Sequence, residues 1–242
     1  MEWSEQGVIL SLRKHGETSV IVTIITEKQG VHAGLVRGGS GIRKLGDLQP
    51  GNLVQAHWRG RLAEHLGNFN FELIRAHAAN LFRRPDSLSC LSSALAISQS
   101  ALPEREAQPK IFNGLNILLN SLEGKDWPSI YVKWELGLLS ALGFGLDFSC
   151  CAASGVISNL VYVSPKSGCA VSGEAGEPYK KSLLSLPQFL LEHGVSGTPN
   201  EIVEGLNLTG FFLERHVFNH LHSKKLPAAR YRFCERMRKL RI

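Results

Sequence analysis

The chain of 242 residues is 43% hydrophobic and 20% charged, an ordinary globular balance that excludes wholesale disorder and leaves enough chain to bury a sizeable core. No stretch approaches the ~18 apolar residues of a transmembrane helix, and the acidic opening Met1-Glu2-Trp3-Ser4-Glu5 lacks a secretory h-region, so a cytoplasmic protein without membrane contact is expected. The net charge of +6 is concentrated at the ends: residues 1–84 hold eleven Lys/Arg against seven Asp/Glu, and residues 210–242 hold nine against two. That polarity points to a polyanionic partner.

The first 80 residues read as strands. Residues 7–14, 18–26 and 30–37 are short β-branched runs separated by the turn-forming stretches 15–17 and 27–30. A loop "RGGSGIRK" (37–44) follows, then the turn Gln49-Pro50-Gly51-Asn52. In 53–61, Val54, Ala56 and Trp58 alternate inward against Gln55, His57, Arg59 and Arg61 outward, and 68–75 places Phe69, Phe71 and Leu73 on one face. Five short strands in this span suit a small closed barrel of the OB type, with a five-stranded open sheet or an SH3-like barrel as alternatives.

From about residue 86 the period lengthens. A helix starts with Asp86 as its cap, and a second spans 104–122. A third opens at Trp127-Pro128 and carries Trp127, Tyr131, Trp134, Leu138 and Leu142 as a core stripe. Residues 160–172 read as a hairpin, and helices resume at 185–193 and 199–222, the latter behind the cap-like Thr198-Pro199-Asn200. A last helix from Leu226-Pro227 sets Ala229, Phe233, Met237 and Leu240 on one side, with Arg230, Arg232, Arg236, Arg238 and Lys239 over the rest. The fold class is α+β: an OB domain over 1–80, then a mainly helical domain over 81–242 with a small zinc-finger-like β-hairpin insertion at about 146–176.

No constellation reads as catalytic. The loop 37–44 lacks the second glycine and the hydroxyl of a phosphate-cradling P-loop, and His216 and His220 form no H-E-x-x-H motif, so no enzyme activity is expected. Five scattered cysteines argue against a disulfide framework. Cys151 and Cys169 are each followed at x2 spacing by a serine, Ser154 and Ser172, which outlines a zinc ribbon with two ligands missing. No cofactor is expected, and Cys151 and Cys169 are only weak metal candidates. The basic residues Arg13, Lys14, Arg37, Arg43, Lys44, Arg59 and Arg61 would converge on one groove of a small barrel and contact DNA phosphates. Arg230, Arg232, Arg236, Arg238 and Lys239 form a second surface for DNA or for a partner.

Four phrases in order extend this reading: "GVILSLRKHGETSVIVTIITEKQGVHAGLVRGG", "LQPGNLVQAHWRGR", "LDFSCCAASGVISNLVYVSPKSGCAVS" and "LNLTGFFLERHVFNHLHSKKLPAARYRF". Together they resemble the RecO family of bacterial DNA repair and recombination proteins, and the middle phrase its alphaproteobacterial members. The resemblance implies a nucleoid-associated mediator that binds single- and double-stranded DNA, anneals complementary strands and helps load a recombinase onto protein-coated single strands. It implies recombination protein R and the acidic C-terminal tail of single-strand-binding protein as partners. Zinc-binding members carry four cysteines, and Ser154 and Ser172 depart from that set. The alternative is an adaptor that docks acidic protein segments, with DNA contact incidental.

Overall fold

The computed structural model describes residues 1–192, 194–220 and 225–240, with residues 42–44 described by their backbone alone. The chain divides into two compact units, Met1–Glu123 and Gly124–Ile242.

The first unit begins with β1 (Glu2–His15), β2 (Ser19–Thr26) and β3 (Gly30–Val36), and after a short helix α1 (Ile42–Asp47) continues with β4 (Leu53–Arg59) and β5 (Asn68–Arg75). The strands close into a barrel in the order β1-β2-β3-β5-β4, the expected OB arrangement. The alternation in the sequence sets the register: Ile9, Val20, Val22, Ile24, Val54, Ala56, Trp58 and Phe69 all turn inward and are buried. Each such side chain taken out of water contributes about 1.5–3 kcal/mol. Closure between β3 and β5 is thin, a single parallel pairing of Leu35 with Asn68 supported by Leu35 N–H donating to the Gly67 carbonyl at 3.1 Å.

β1 is longer than the sequence suggests because Glu2–Val8 pairs along the whole of β4. Conversely β4 stops at Arg59, and Arg61 lies beyond the strand in the β4–β5 loop. After α2 (His77–Asn80) come α3 (Pro85–Ala101) and α4 (Pro109–Ser121). Asp86 is inside the first turn of α3, not its cap, since Pro85 already occupies a helical position. α4 starts later than residue 104 because Gln108, preceding a proline, is kept out of the helical region at φ −134° and ψ 62°. Arg75, Asn80 and Arg84 gather on Glu123: Arg75 Nη2 approaches its carboxylate at 3.4 Å, Asn80 Nδ2 donates to it at 3.0 Å, and Arg84 donates to its carbonyl.

The second unit opens with α5 (Trp127–Ala141), whose aromatic stripe is buried as the spacing predicts. A three-stranded sheet of β6 (Leu160–Val163), β7 (Ala170–Ser172) and β8 (Leu184–Ser185) follows in the order β7-β6-β8, with the four-residue α6 (Gly173–Gly176) after β7. Among the described residues, 185–192 is not the helix the sequence suggests: Pro187 follows the short β8, and a 3₁₀ turn, Gln188–Leu190, forms there, while residue 193 lies outside the described residues. α7 (Pro199–Phe212) has the predicted start, with Thr198 Oγ1 accepting from the Glu201 N–H and the Glu201 carboxylate accepting from the Thr198 N–H. Its path then changes to a π turn (Leu213–Val217) and a 3₁₀ turn (Phe218–His220); residues 221 and 222 of the expected helix lie outside the described residues. α8 (Ala228–Lys239) is the last element among the described residues.

α5, α7 and α8 share a buried charge. Arg230 grips Glu135 with two parallel bonds, Nε to Oε1 at 2.7 Å and Nη2 to Oε2 at 2.8 Å. The remaining capacity is filled by Tyr131, whose hydroxyl donates to Glu135 at 2.9 Å, by the Thr209 hydroxyl, and by the Leu206 carbonyl, which accepts from Arg230 at 2.8 Å. Burial works against the guanidinium's charge, but the Glu135 carboxylate outweighs it and holds the Arg230 pKa above its ordinary value.

Candidate nucleic-acid interface

The strand register brings the predicted barrel cations onto one path. Arg13 faces Ile21, and Ile21 faces Leu35, two residues before Arg37. Leu35 faces Asn68, Asn68 faces Arg59, and Arg59 faces Glu2. The row therefore circles the barrel and returns to β1 near its opposite end, the stagger a tilted closed barrel requires. Arg13 and Arg59 lie exposed on it, and Lys14 and Arg37, also exposed, lie next to it. Arg61 is exposed just beyond, in the β4–β5 loop. The side chains of Arg43 and Lys44 lie outside the described residues; their backbone begins α1, after the glycine-rich turn at 37–40 that Ser40 ties to the carbonyl of Thr18 at 3.2 Å.

Along this row runs an open groove of about 620 Å³ lined by Trp3, His57, Trp58, Arg59, Asn68 and Phe69 among others. A second hollow continues it past Asn68 to Arg37, whose Nε donates to Asn68 Oδ1 at 3.2 Å. Glu2 also lines the groove and pairs in register with Arg59, so the floor is mixed in charge and the cations stand at its rim.

The wall is aromatic. Trp3 and Trp58 stack with centroids 6.0 Å apart and planes 16° off parallel, Phe69 meets Trp3 edge-on at 5.6 Å, and Phe71 stacks on Phe69 at 4.9 Å. Trp58 points inward, as the alternation predicts, and its Nε1 donates to the Leu66 carbonyl at 3.0 Å. The close fit depends on Gly67: its φ of +62° is left-handed, and a Cβ there would stand 2.4 Å from the Trp58 indole. Trp3, by contrast, is only half-buried and offers ring surface to the groove. Sequence reasoning missed it because it precedes the run read as the first strand; the alternation around it, Glu2-Trp3-Ser4, is the signal that could have found it.

Two further groups were not legible. His32 is buried among Trp3, Trp58 and Phe69, and burial, followed by the charge of Arg105, lowers its pKa to about 4. Arg105 comes from the chain between α3 and α4, a stretch the sequence reads as helix, and reaches the same end of the barrel, where its Nη2 donates to the His65 carbonyl at 3.1 Å.

In the second unit Arg232, Arg236, Arg238 and Lys239 are exposed on α8, with Arg238 donating to Glu235 and to Asn207 Oδ1. Arg230 is not part of that surface: it is 4% exposed and committed to Glu135, because it shares the buried stripe of Phe233, Cys234 and Met237. His216 is sandwiched between Phe144 and Phe212 at 5.1 and 5.9 Å, and His220 is exposed.

The Cys151 thiol is held by hydrogen bonds to the end of β7 and to Ser154. Its buried Sγ accepts the Ser172 N–H at 3.2 Å, and hydrogen bonds from Ser154 and then Ser172 lower the thiol pKa to about 6. Cys169 Sγ turns to the Ser167 carbonyl at 3.7 Å. Serine hydroxyls stay protonated near neutrality, so Cys151, Ser154, Cys169 and Ser172 do not fit the donor set of a structural zinc. Among the described residues no group of three or more His, Cys, Asp or Glu could hold a metal, and no described helix is long and apolar enough to cross a membrane.

A closed OB barrel with a basic, aromatic-walled groove, followed by a largely helical unit, defines an OB-fold protein of the α+β class. Comparisons with known proteins sharpen this. The model described as Recombination protein O N terminal matches residues 1–77, and that described as Recombination protein O C terminal matches residues 83–225. The chain is 49% identical over 241 residues to the DNA repair protein RecO of Rhodospirillum centenum, covering 99% of this chain and 96% of that one. It is 46% identical over 246 residues to the DNA repair protein RecO of Rhodospirillum rubrum (99% and 97% covered), and 47% identical over 223 residues to that of Bartonella tribocorum (90% and 88% covered). The chain belongs to the RecO family.

Proposed function

We propose that this chain is a non-enzymatic DNA-repair mediator that binds single- and double-stranded DNA through the barrel face and speeds pairing of complementary strands. The observation that supports this best is the register row from Arg13 to Arg59, with an open groove at Arg59 and an adjoining hollow at Arg37. Annealing brings two polyanions together; rim cations screen their repulsion and leave base edges free to pair. In this reading Arg13, Lys14, Arg37, Arg43, Lys44, Arg59 and Arg61 of the 1–80 barrel domain are phosphate contacts, no zinc is needed, and the protein works at the nucleoid.

The test is strand annealing and DNA affinity across a salt series for Arg37→Ala/Arg59→Ala. Each lost phosphate contact should reduce the salt slope on single strands by about 0.7, with weakening similar for all sequences. Affinity and slope equal to the parent protein's would remove the face from the binding surface.

The exposed α8 cations Arg232, Arg236, Arg238 and Lys239 favour a second role within the 81–242 domain: docking acidic protein segments, namely the C-terminal tail of single-strand-binding protein, alongside recombination protein R during recombinase loading. If this adaptor role is the whole function, the purified chain will not accelerate pairing of naked oligonucleotides.

A further inference from the structure

A cavity of about 410 Å³ shares Glu2, Trp3 and Trp58 with the groove and adds Gln29, His32 and Arg105. Its size is that of a small-ligand pocket. Three polar atoms at its lining have no hydrogen-bond partner: both ring nitrogens of His32, which is 3% exposed, and Nε of Arg105. Buried polar groups in native proteins are nearly always paired, so three orphans around one cavity call for an explanation.

The position of Arg105 is costly. It is one of two non-glycine residues with positive φ among the described residues, at +63°. It is held there from β3: its N–H donates to the Val31 carbonyl at 2.8 Å, and Glu104 bridges to Val31. Gly30 makes the approach possible, since a Cβ on it would lie 1.8 Å from the Glu106 carbonyl oxygen. Backbone contacts thus fix where this guanidinium starts. A half-exposed indole beside it, and a neutral imidazole with one donor and one acceptor behind, complete a site with stacking surface and both hydrogen-bonding senses.

We propose that this cavity receives one unstacked nucleobase of a single DNA strand, stacked on Trp3 with Arg105 donating to its edge; the proposal rests on the DNA-binding reading above. Trp3 meets His32 edge-on at 5.2 Å, so the stacking ring and the orphaned imidazole line the same cavity. Base recognition here adds to the phosphate contacts of the rim, which cannot distinguish a strand with bases from one without.

The full chain is tested against a mixed-sequence single strand and against the same backbone carrying abasic sites. The parent protein should prefer the base-bearing strand by roughly ten-fold, the scale of one aromatic–base stack. Trp3→Ala and Arg105→Ala should lose most of that preference, and Trp3→Phe should keep it. Equal affinity of the parent protein for both strands overturns the cavity proposal and leaves the DNA-binding reading intact. Failure to bind either strand overturns both. A preference that survives in a folded Arg105→Ala protein also overturns the proposal, and the parent comparison needs no variant to fold.

Discussion

At the scale of single residues the contrast between Arg230 and Arg105 is instructive. Both are arginines in sequence contexts that read as solvated helix, and both are claimed by the interior for different reasons. Arg230 was misread as part of the exposed basic surface although its spacing carried the signal: it precedes Phe233, Cys234 and Met237 by three, four and seven residues, one helical stripe, and Glu135 lies on the buried stripe of α5 in the same way. A charge at such a position announces a partner. Removing one side of the pair strands the other in the core, so Arg230→Ala or Glu135→Ala should each cost about 3–5 kcal/mol, read as a fall in the denaturant midpoint. Replacing both with apolar residues of similar volume should recover most of the loss. If the single variants unfold at the parent midpoint, the pair is not a structural element of the second unit. Arg105 had no such signal, because nothing local encodes that the chain after α3 returns to the edge of β3. Its position is a long-range fact.

At the scale of elements, local patterns carried well where local physics decides. The alternation in 53–59, the proline at the start of α5 and the capping box at Thr198 each fix an element from a handful of neighbours. The misreadings fall where tertiary or proline constraints intervene: α4 begins after Gln108, and the region 185–192 is taken by β8 and a 3₁₀ turn. The aromatic end of the barrel shows how narrow the tolerance of an element can be. Gly67 permits both the left-handed turn and the seat of the Trp58 indole, so Gly67→Ala meets backbone strain and overpacking together. The expected penalty is about 2–4 kcal/mol in chemical denaturation. An unshifted midpoint would mean that the loop can re-route around the ring.

At the scale of the whole molecule the barrel unit stores two neutral histidines. His32 faces Arg105, and His77 faces Arg75 and Glu123; burial leads in lowering each pKa from 6.5 to about 4. Between these values the unfolded chain binds more protons than the folded one, so this contribution is complete above pH 6.5 and declines as pH falls toward 4. Each group adds a slope of up to about 1.4 kcal/mol per pH unit. Urea midpoints measured at pH 7 and pH 5 should therefore differ, with the acid sample weaker; identical midpoints would contradict the burial of both rings. The closed-barrel class of the fold was readable from strand count and periodicity, but its strand order was not, because the order β3-β5-β4 depends on pairings between segments far apart in the chain. The cationic row could be named residue by residue only in part for the same reason: composition identifies cations, and register decides which of them line up.

The thin junction between β3 and β5 has one more implication. With only Leu35 and Asn68 paired, the first half of β3 would be left as a bare strand border, open to another chain's backbone. Glu104 and Arg105 occupy that border through Val31, so the segment that carries the arginine also works as a sixth stave, guarding the barrel against sticking to its own copies.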